Sequence, residues 1–223
     1  MSTINIIFFD LDGTLADSRQ DITDAVNRTR EALGIEGNKT LSEVHSYVGG
    51  GLEETIRRAL DKNGTKPGRE NENLIKKALV LFRDFYRENP VTETKLYPLV
   101  EETLENLPGI TKAVLTNKDR DIAISVLQGL GISGYFTDII GGNDEKYRKP
   151  SPEGIKKIMR KYGFSADSAL IVGDMDIDII TGRAAGIKTC GVTYGIGPKE
   201  DIIKAAPDYL IDSMAELKNI IAP

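Results

Sequence analysis

Two aspartates one residue apart, Asp10 and Asp12, close the apolar run of "IIFFDLDGTL". Like charges this close repel, raise each other's pKa and require a counter-cation. Further polar residues follow later apolar runs. "AVLTN" ends in Thr116 and Asn117, "IIGGNDEKYRKP" delivers Lys149 before Pro150, and "LIVGD" ends in Asp174, with Asp178 four residues on. Acids, a hydroxyl and a lysine at the ends of buried segments are the materials for holding a cation and an anion together. A solvated turn would account for any one of these aspartates, but poorly for a pair followed by "GTL" and joined by Asp174.

Elements able to position these groups are legible from Leu99 onward, where short apolar runs ("TKAVLTN", "FTDIIGG", "SALIVGD", "IKTCGVTYG", "PDYLI") alternate with helical patterns. Such alternation predicts an α/β fold, a doubly wound, Rossmann-like parallel sheet with helices on both faces. Ligands gather outside the carboxyl ends of such strands. The helix starting at Asp119 is expected to aim free backbone N–H groups into that crevice as an anion cradle. Ser151-Pro152 and Ser213 read as helix starts, and Gly131, Gly163 and Gly186 as stops.

Between the first strand and this region, "SRQDITDAVNRTREALG", "LEETIRRALDKNG" and "ENENLIKKALVLFRDFYRENP" carry helical periodicity without strands. The expected organisation is an α/β core of residues 1–16 and 93–223 with a small helical domain, 17–92, inserted after the first strand. Its two connections form a hinge pair.

The 223-residue chain is 40% hydrophobic, with net charge -5 and a pI near 5.1. This composition supports a real core and argues against nucleic-acid or anionic-membrane partners. A small-molecule partner is expected, with the protein a monomer or homodimer. The single cysteine, Cys190, excludes an intramolecular disulfide, fits a reducing compartment and reads as a core residue. With no leader pattern and no apolar run of about 18 residues, a soluble cytoplasmic protein is expected.

Taken in order, these elements resemble the haloacid dehalogenase superfamily of phosphohydrolases over essentially the whole chain. Asp10 and Asp12 match its DxDGT motif, Thr116 its second motif, Lys149 of "KP" its third, and Asp174 and Asp178 of "VGDMDID" its fourth. The resemblance implies Mg²⁺-dependent phosphomonoester hydrolysis through an aspartyl phosphate. Asp10 is then the nucleophile, and Asp12 the acid for the leaving alkoxide and later the base for water. The metal would sit on Asp10, the backbone carbonyl of Asp12 and Asp174. Thr116 and the Asn117 amide would bind phosphate oxygens, Lys149 would neutralise nucleophile and phosphate, and Asp178 would orient Lys149 or a metal-bound water. The role of Asp176 stays open among facing solvent, capping its helix and a water-mediated metal contact. Lys146 and Arg148 are expected to be solvated.

The insertion resembles that superfamily's helical cap, and "YVGGG", "RRAL", "DITDAVNRTREALG" and "IIGGND" resemble phosphoglycolate phosphatases, with Asn143 where an acid is common. This implies a small phosphorylated acid, 2-phosphoglycolate first. The carboxylate would be met by the Gly49, Gly50, Gly51 loop and the helix it starts, with Arg57 preferred to Arg58 as cationic donor. Other enzymatic readings are a broad sugar-phosphate phosphatase, a pyrophosphatase and a phosphosugar mutase. A dehalogenase is disfavoured by Asp12, and a phosphonate hydrolase lacks a motif around Lys39 or Lys62. The readings from another class are a regulatory or binding module on such a core, and a receiver-like phosphoacceptor domain. His45 reads as a partly exposed helix residue, and the charged run 56–70 as a solvated face.

Overall fold

The computed structural model describes residues 3–61 and 72–221. The chain divides into two compact units, Met1–Asp17 with Lys95–Pro223, and Ser18–Thr94.

In the first unit, β1 (Ile6–Phe9) is apolar and buried along its length, as a strand covered on both faces must be. It lies between β4 (Thr111–Leu115) and β6 (Ala169–Gly173), parallel to both. With β5 (Asp138–Ile140), β7 (Lys188–Val192) and β8 (Tyr209–Ile211), these form one parallel sheet in the order β5-β4-β1-β6-β7-β8. The chain moves outward from β1 through β4 to β5, then returns to the far side of β1 for β6, β7 and β8. This is a Rossmann-like, doubly wound sheet, and the reversal places its switch point at the end of β1. Phe9 stands opposite both Val114 and Val172, so β1, β4 and β6 end at one level.

Alternate residues build the core. Ile6, Phe8, Ala113, Leu115, Ala169 and Ile171 share a cluster with Ile155 and Ile158 of α7 (Glu153–Tyr162). Gly154 lets α7 lie close to the sheet, because a Cβ there would sit 2.7 Å from Leu115 Cδ1. The expected stops are observed. α7 ends at Gly163 and α8 (Asp176–Ala185) at Gly186, both left-handed, and Gly131, also at positive φ, follows α6 (Arg120–Gly129). Ser213 precedes the single turn Met214–Glu216 that leads into α10 (Leu217–Ile221). α5 (Val100–Glu105) and α9 (Lys199–Lys204) complete the unit's helices among the described residues. Cys190 is fully buried in β7. A two-stranded antiparallel sheet, β2 (Ala16–Asp17) with β3 (Lys95–Leu96), joins the outgoing and returning chain. Two-residue strands carry no periodicity and were not foreseeable.

The second unit packs α1 (Arg19–Ala32), α2 (Leu41–His45), α3 (Leu52–Leu60) and α4 (Glu72–Glu88) through stripes at helical spacing. Ile22, Ala25, Val26 and Thr29 supply α1's stripe, and Ile75, Ala78, Phe82 and Tyr86 that of α4. Buried Arg30 donates to the carbonyls of Glu36, Gly37 and Ala59, tying the loop after α1 to the end of α3. At the unit's ends, the Asp21 carboxylate accepts from the backbone N–H of Thr92, Glu93 and Thr94, at 2.9–3.2 Å, and from the Thr94 hydroxyl at 2.6 Å. His45 is half-buried in the last turn of α2. Lys62 and residues 62–70 of the charged run lie outside the described residues. No helix among the described residues is long and apolar enough to cross a membrane.

Candidate active site

The site is assembled at the carboxyl ends of β1, β4 and β6. Asp10 leaves β1 with its backbone still in register, its N–H donating to the Val172 carbonyl at 2.9 Å. Its Oδ1 accepts from Leu11 N at 2.8 Å, and its Oδ2 lies 2.9 Å from Lys149 Nζ. The same ammonium is 2.7 Å from Asp178 Oδ1. Asp178, in the first turn of α8, is fixed in turn by the N–H of Met175 on its Oδ2.

Asp174 follows β6 and is held from several sides. The Thr14 hydroxyl donates to its Oδ1 at 3.1 Å, and the backbone N–H groups of Ile196 and Gly197 donate to its Oδ2, both at 2.8 Å. Tyr194 in turn donates to the Thr14 carbonyl. Close approach here demands glycine. At Gly13, where φ is +89°, a Cβ would fall 2.2 Å from Asp174 Oδ2, and at Gly195 one would fall 2.3 Å from Asp174 Cβ.

Burial dominates the electrostatics. Removal from water, with a smaller push from the Asp178 charge and against the pull of Lys149, raises Asp10 to about 6. Burial and the charge of Asp10 raise Asp174 to about 6, against the Gly197 and Ile196 N–H groups. Burial alone would lower the Lys149 pKa, but Asp10 and Asp178 reverse this and hold it above the ordinary lysine value. One carboxylate oxygen from each of Asp10, Asp174 and Asp178 lies within 4.8 Å of the other two, and all three residues are buried. Three acids around one ammonium remain short of positive charge, and hard oxygen donors suit a hard divalent cation. This cluster can hold one. Side-chain proximity groups Asp178 with Asp10 and Asp174, whereas the expected contribution of Asp12 is its main-chain carbonyl.

Thr116 is buried where β4 ends, and its hydroxyl accepts from Lys118 N at 3.1 Å, closing a small turn. The Asn117 side chain clamps the turn that carries Lys149. Its Oδ1 accepts from Lys149 N at 2.8 Å, and its Nδ2 donates to Lys149 O at 3.2 Å. The expected cradle at the start of α6 is partly filled from within, because Asn143 Oδ1 caps Arg120 N at 3.0 Å. Lys146 is exposed, as expected. Arg148 is not simply solvated, since its Nε binds the Gly142 carbonyl at 2.9 Å. Asp176 is exposed in the first turn of α8 and outside the carboxylate cluster.

Lys118 escaped the sequence reading. Its Nζ lies 3.0 and 3.2 Å from the two carboxylate oxygens of Asp12. A lysine two residues past a strand-end threonine was the available signal, but its pairing spans 106 residues of sequence.

In the second unit, Gly51 caps α3 at φ +93° and Gly49 also has positive φ, so the glycine run does start the helix. Arg57 does not present an uncommitted charge. Its guanidinium is held by Glu53, one helical turn back, and by Glu72, with contacts of 2.7–2.9 Å. Arg58 lies over the Tyr47 ring at 4.8 Å. Lys39 is buried and paired with Glu43 at 3.2 Å.

A buried acid cluster and lysine at the switch point of such a sheet fit a phosphate-handling hydrolase, and the model of the haloacid dehalogenase-like hydrolase family matches residues 7–192. The chain belongs to that family. It is 38% identical to a phosphoglycolate phosphatase of Vibrio parahaemolyticus, over 98% of this chain and 96% of the relative, and 35% identical to one of Aquifex aeolicus, over 98% and 97%. The crystal structure of a predicted phosphoglycolate phosphatase from Haemophilus somnus superposes with a TM-score of 0.89 at 30% identity, covering 99% of both chains. The protein is an enzyme of the phosphatase class within this family.

Proposed function

We propose that the protein is a Mg²⁺-dependent phosphomonoester hydrolase that works through an aspartyl phosphate on Asp10, with 2-phosphoglycolate as substrate. The observation that carries the chemistry is the buried line Asp10–Lys149–Asp178, with Asp174 beside it. A phosphate monoester is shielded by its own charge, so positioning and neutralisation are the main work of catalysis.

A carboxylate oxygen of Asp10 attacks phosphorus, forming a P–O bond as the bond to the leaving alkoxide breaks. Asp12 gives its proton to that alkoxide. It then takes a proton from water, whose oxygen attacks phosphorus and releases inorganic phosphate and the Asp10 carboxylate. Lys149 neutralises the nucleophile and the phosphoryl oxygens, and Asp178 keeps its ammonium in place. Thr116 binds a phosphoryl oxygen. Asp10 and Asp174 would hold the metal with the Asp12 carbonyl; when bound, it supplies further neutralisation of phosphoryl charge.

Support for the substrate comes from the near full-length relatives named phosphoglycolate phosphatases. The test is phosphate release from purified protein with Mg²⁺ over 2-phosphoglycolate, sugar phosphates and pyrophosphate. The highest kcat/KM is expected for 2-phosphoglycolate. Efficient cleavage of a sugar phosphate or pyrophosphate with none of 2-phosphoglycolate would refute the substrate while leaving the phosphatase chemistry standing.

A further inference from the structure

Lys118 is a buried cation that the mechanism above leaves without a task. Its side chain is 8% exposed and that of its partner Asp12 is 12% exposed, so the pair sits largely out of water. Its backbone is pinned on both sides, the N–H to Thr116 Oγ1 at 3.1 Å and the carbonyl accepting from Gly142 N at 2.9 Å. The ammonium therefore projects from a fixed turn beside the residue proposed to protonate the leaving group.

We propose that Lys118 selects esters whose leaving group carries a carboxylate, by pairing with that carboxylate while it still touches Asp12. This rests on the reading of Asp12 as the acid. A leaving oxygen within hydrogen-bond reach of Asp12 lies roughly 2.7 Å from it. With Nζ at 3.0 Å from Asp12, the ammonium falls within about 6 Å of that oxygen. In a two-carbon acid the carboxylate oxygens lie about 3 to 4 Å from the ester oxygen, given carbon–carbon bonds near 1.5 Å. The carboxylate thus spans the gap. An ammonium has three donors on a compact centre, so it can serve Asp12 and a second carboxylate together. Lys149 is shared between two carboxylates, Asp10 and Asp178, and Arg57 between Glu53 and Glu72, whereas the acid that Lys118 meets is the residue proposed to touch the leaving oxygen. A neutral leaving group of the same length offers Lys118 no second carboxylate beside Asp12, which makes the residue a filter on charge.

The test compares kcat/KM for 2-phosphoglycolate and for 2-hydroxyethyl phosphate, a two-carbon ester with a neutral end, in wild type, Lys118→Met and Lys118→Arg. Lys118→Met is expected to lower the ratio of the two constants by about ten- to a hundredfold, the worth of a charged hydrogen bond, mainly through KM for the anionic ester. Lys118→Arg should keep most of the ratio. Equal losses on both esters would overturn the proposal and reduce Lys118 to a positioning residue for Asp12. Should Lys118→Met fail to fold, Lys118→Gln is read in the same way. If wild type does not turn over 2-phosphoglycolate, the substrate reading fails separately. Inhibition of 2-hydroxyethyl phosphate hydrolysis by glycolate then decides the role of Lys118: weaker inhibition in the variant supports it, and identical inhibition overturns it.

Discussion

Lys149 Nζ stands 2.7 Å from Asp178 Oδ1, with both side chains almost wholly buried, and this contact holds the ammonium 2.9 Å from Asp10. On the proposed mechanism Asp178 acts through the lysine. Without it the ammonium would face Asp10 alone, drawn fully onto the proposed nucleophile. Asp178→Asn is expected to lower kcat about ten- to a hundredfold with a smaller effect on KM. Asp178→Ala should in addition cost about 3 kcal/mol, because it leaves a buried pair broken. Steady-state kinetics and denaturant midpoints measure both, and an unchanged kcat in folded Asp178→Ala would remove Asp178 from the mechanism.

Asp10 and Asp12 should fail in different ways. Asp10→Asn is expected to abolish phosphate release, since a neutral amide is a poor nucleophile and a weaker metal ligand. Asp12→Asn should still accept phosphoryl from an aryl phosphate, whose leaving group needs no proton, and then stall for want of a base. Rapid-quench detection of a phosphorylated protein distinguishes the two. Near wild-type turnover by Asp10→Asn would sink the covalent mechanism.

Asp174 is held by Thr14, Ile196 and Gly197, with Gly13 pressed against it. Asp174→Ala is expected to weaken Mg²⁺ binding by at least about tenfold, read by calorimetry or by the metal-dependent rise in melting temperature. Gly13→Ala should be as damaging, since it combines an unfavourable φ with a Cβ inside contact distance of the carboxylate. Full activity after dialysis into excess chelator would count against the metal site.

Asp21 links stability to pH. Burial alone would raise its pKa, but the Thr94 hydroxyl and the backbone N–H groups of Glu93, Thr92 and Thr94 outweigh it and hold the carboxyl below its ordinary value. A depressed folded-state pKa means stability present above the unfolded value, roughly 3.9, and lost as pH falls through the folded one. Asp21→Asn should therefore cost about 2 kcal/mol at pH 7. The difference from wild type should shrink as pH drops below about 4. Melting curves from pH 7 to 3 test this, and a pH-independent difference would deny the carboxylate its role.

The architecture and the chemical inventory are legible in the order of the residues alone. Apolar runs at strand length, interrupted by helical patterns and glycine stops, are local signals, and a parallel sheet in this order can gather Asp10, Thr116, Lys149 and Asp174 only at its carboxyl edge. Tertiary structure alone decided how the charges pair. Lys118 meets Asp12 across 106 residues, Asn117 closes on the backbone of Lys149 across 32, and Arg57 is neutralised by Glu72 from the next helix. No periodicity encodes such partners, because a side chain's electrostatic neighbour depends on which loops the packed core brings together. The same holds for the two-residue strands β2 and β3, which exist only because their pairing partners are delivered to each other.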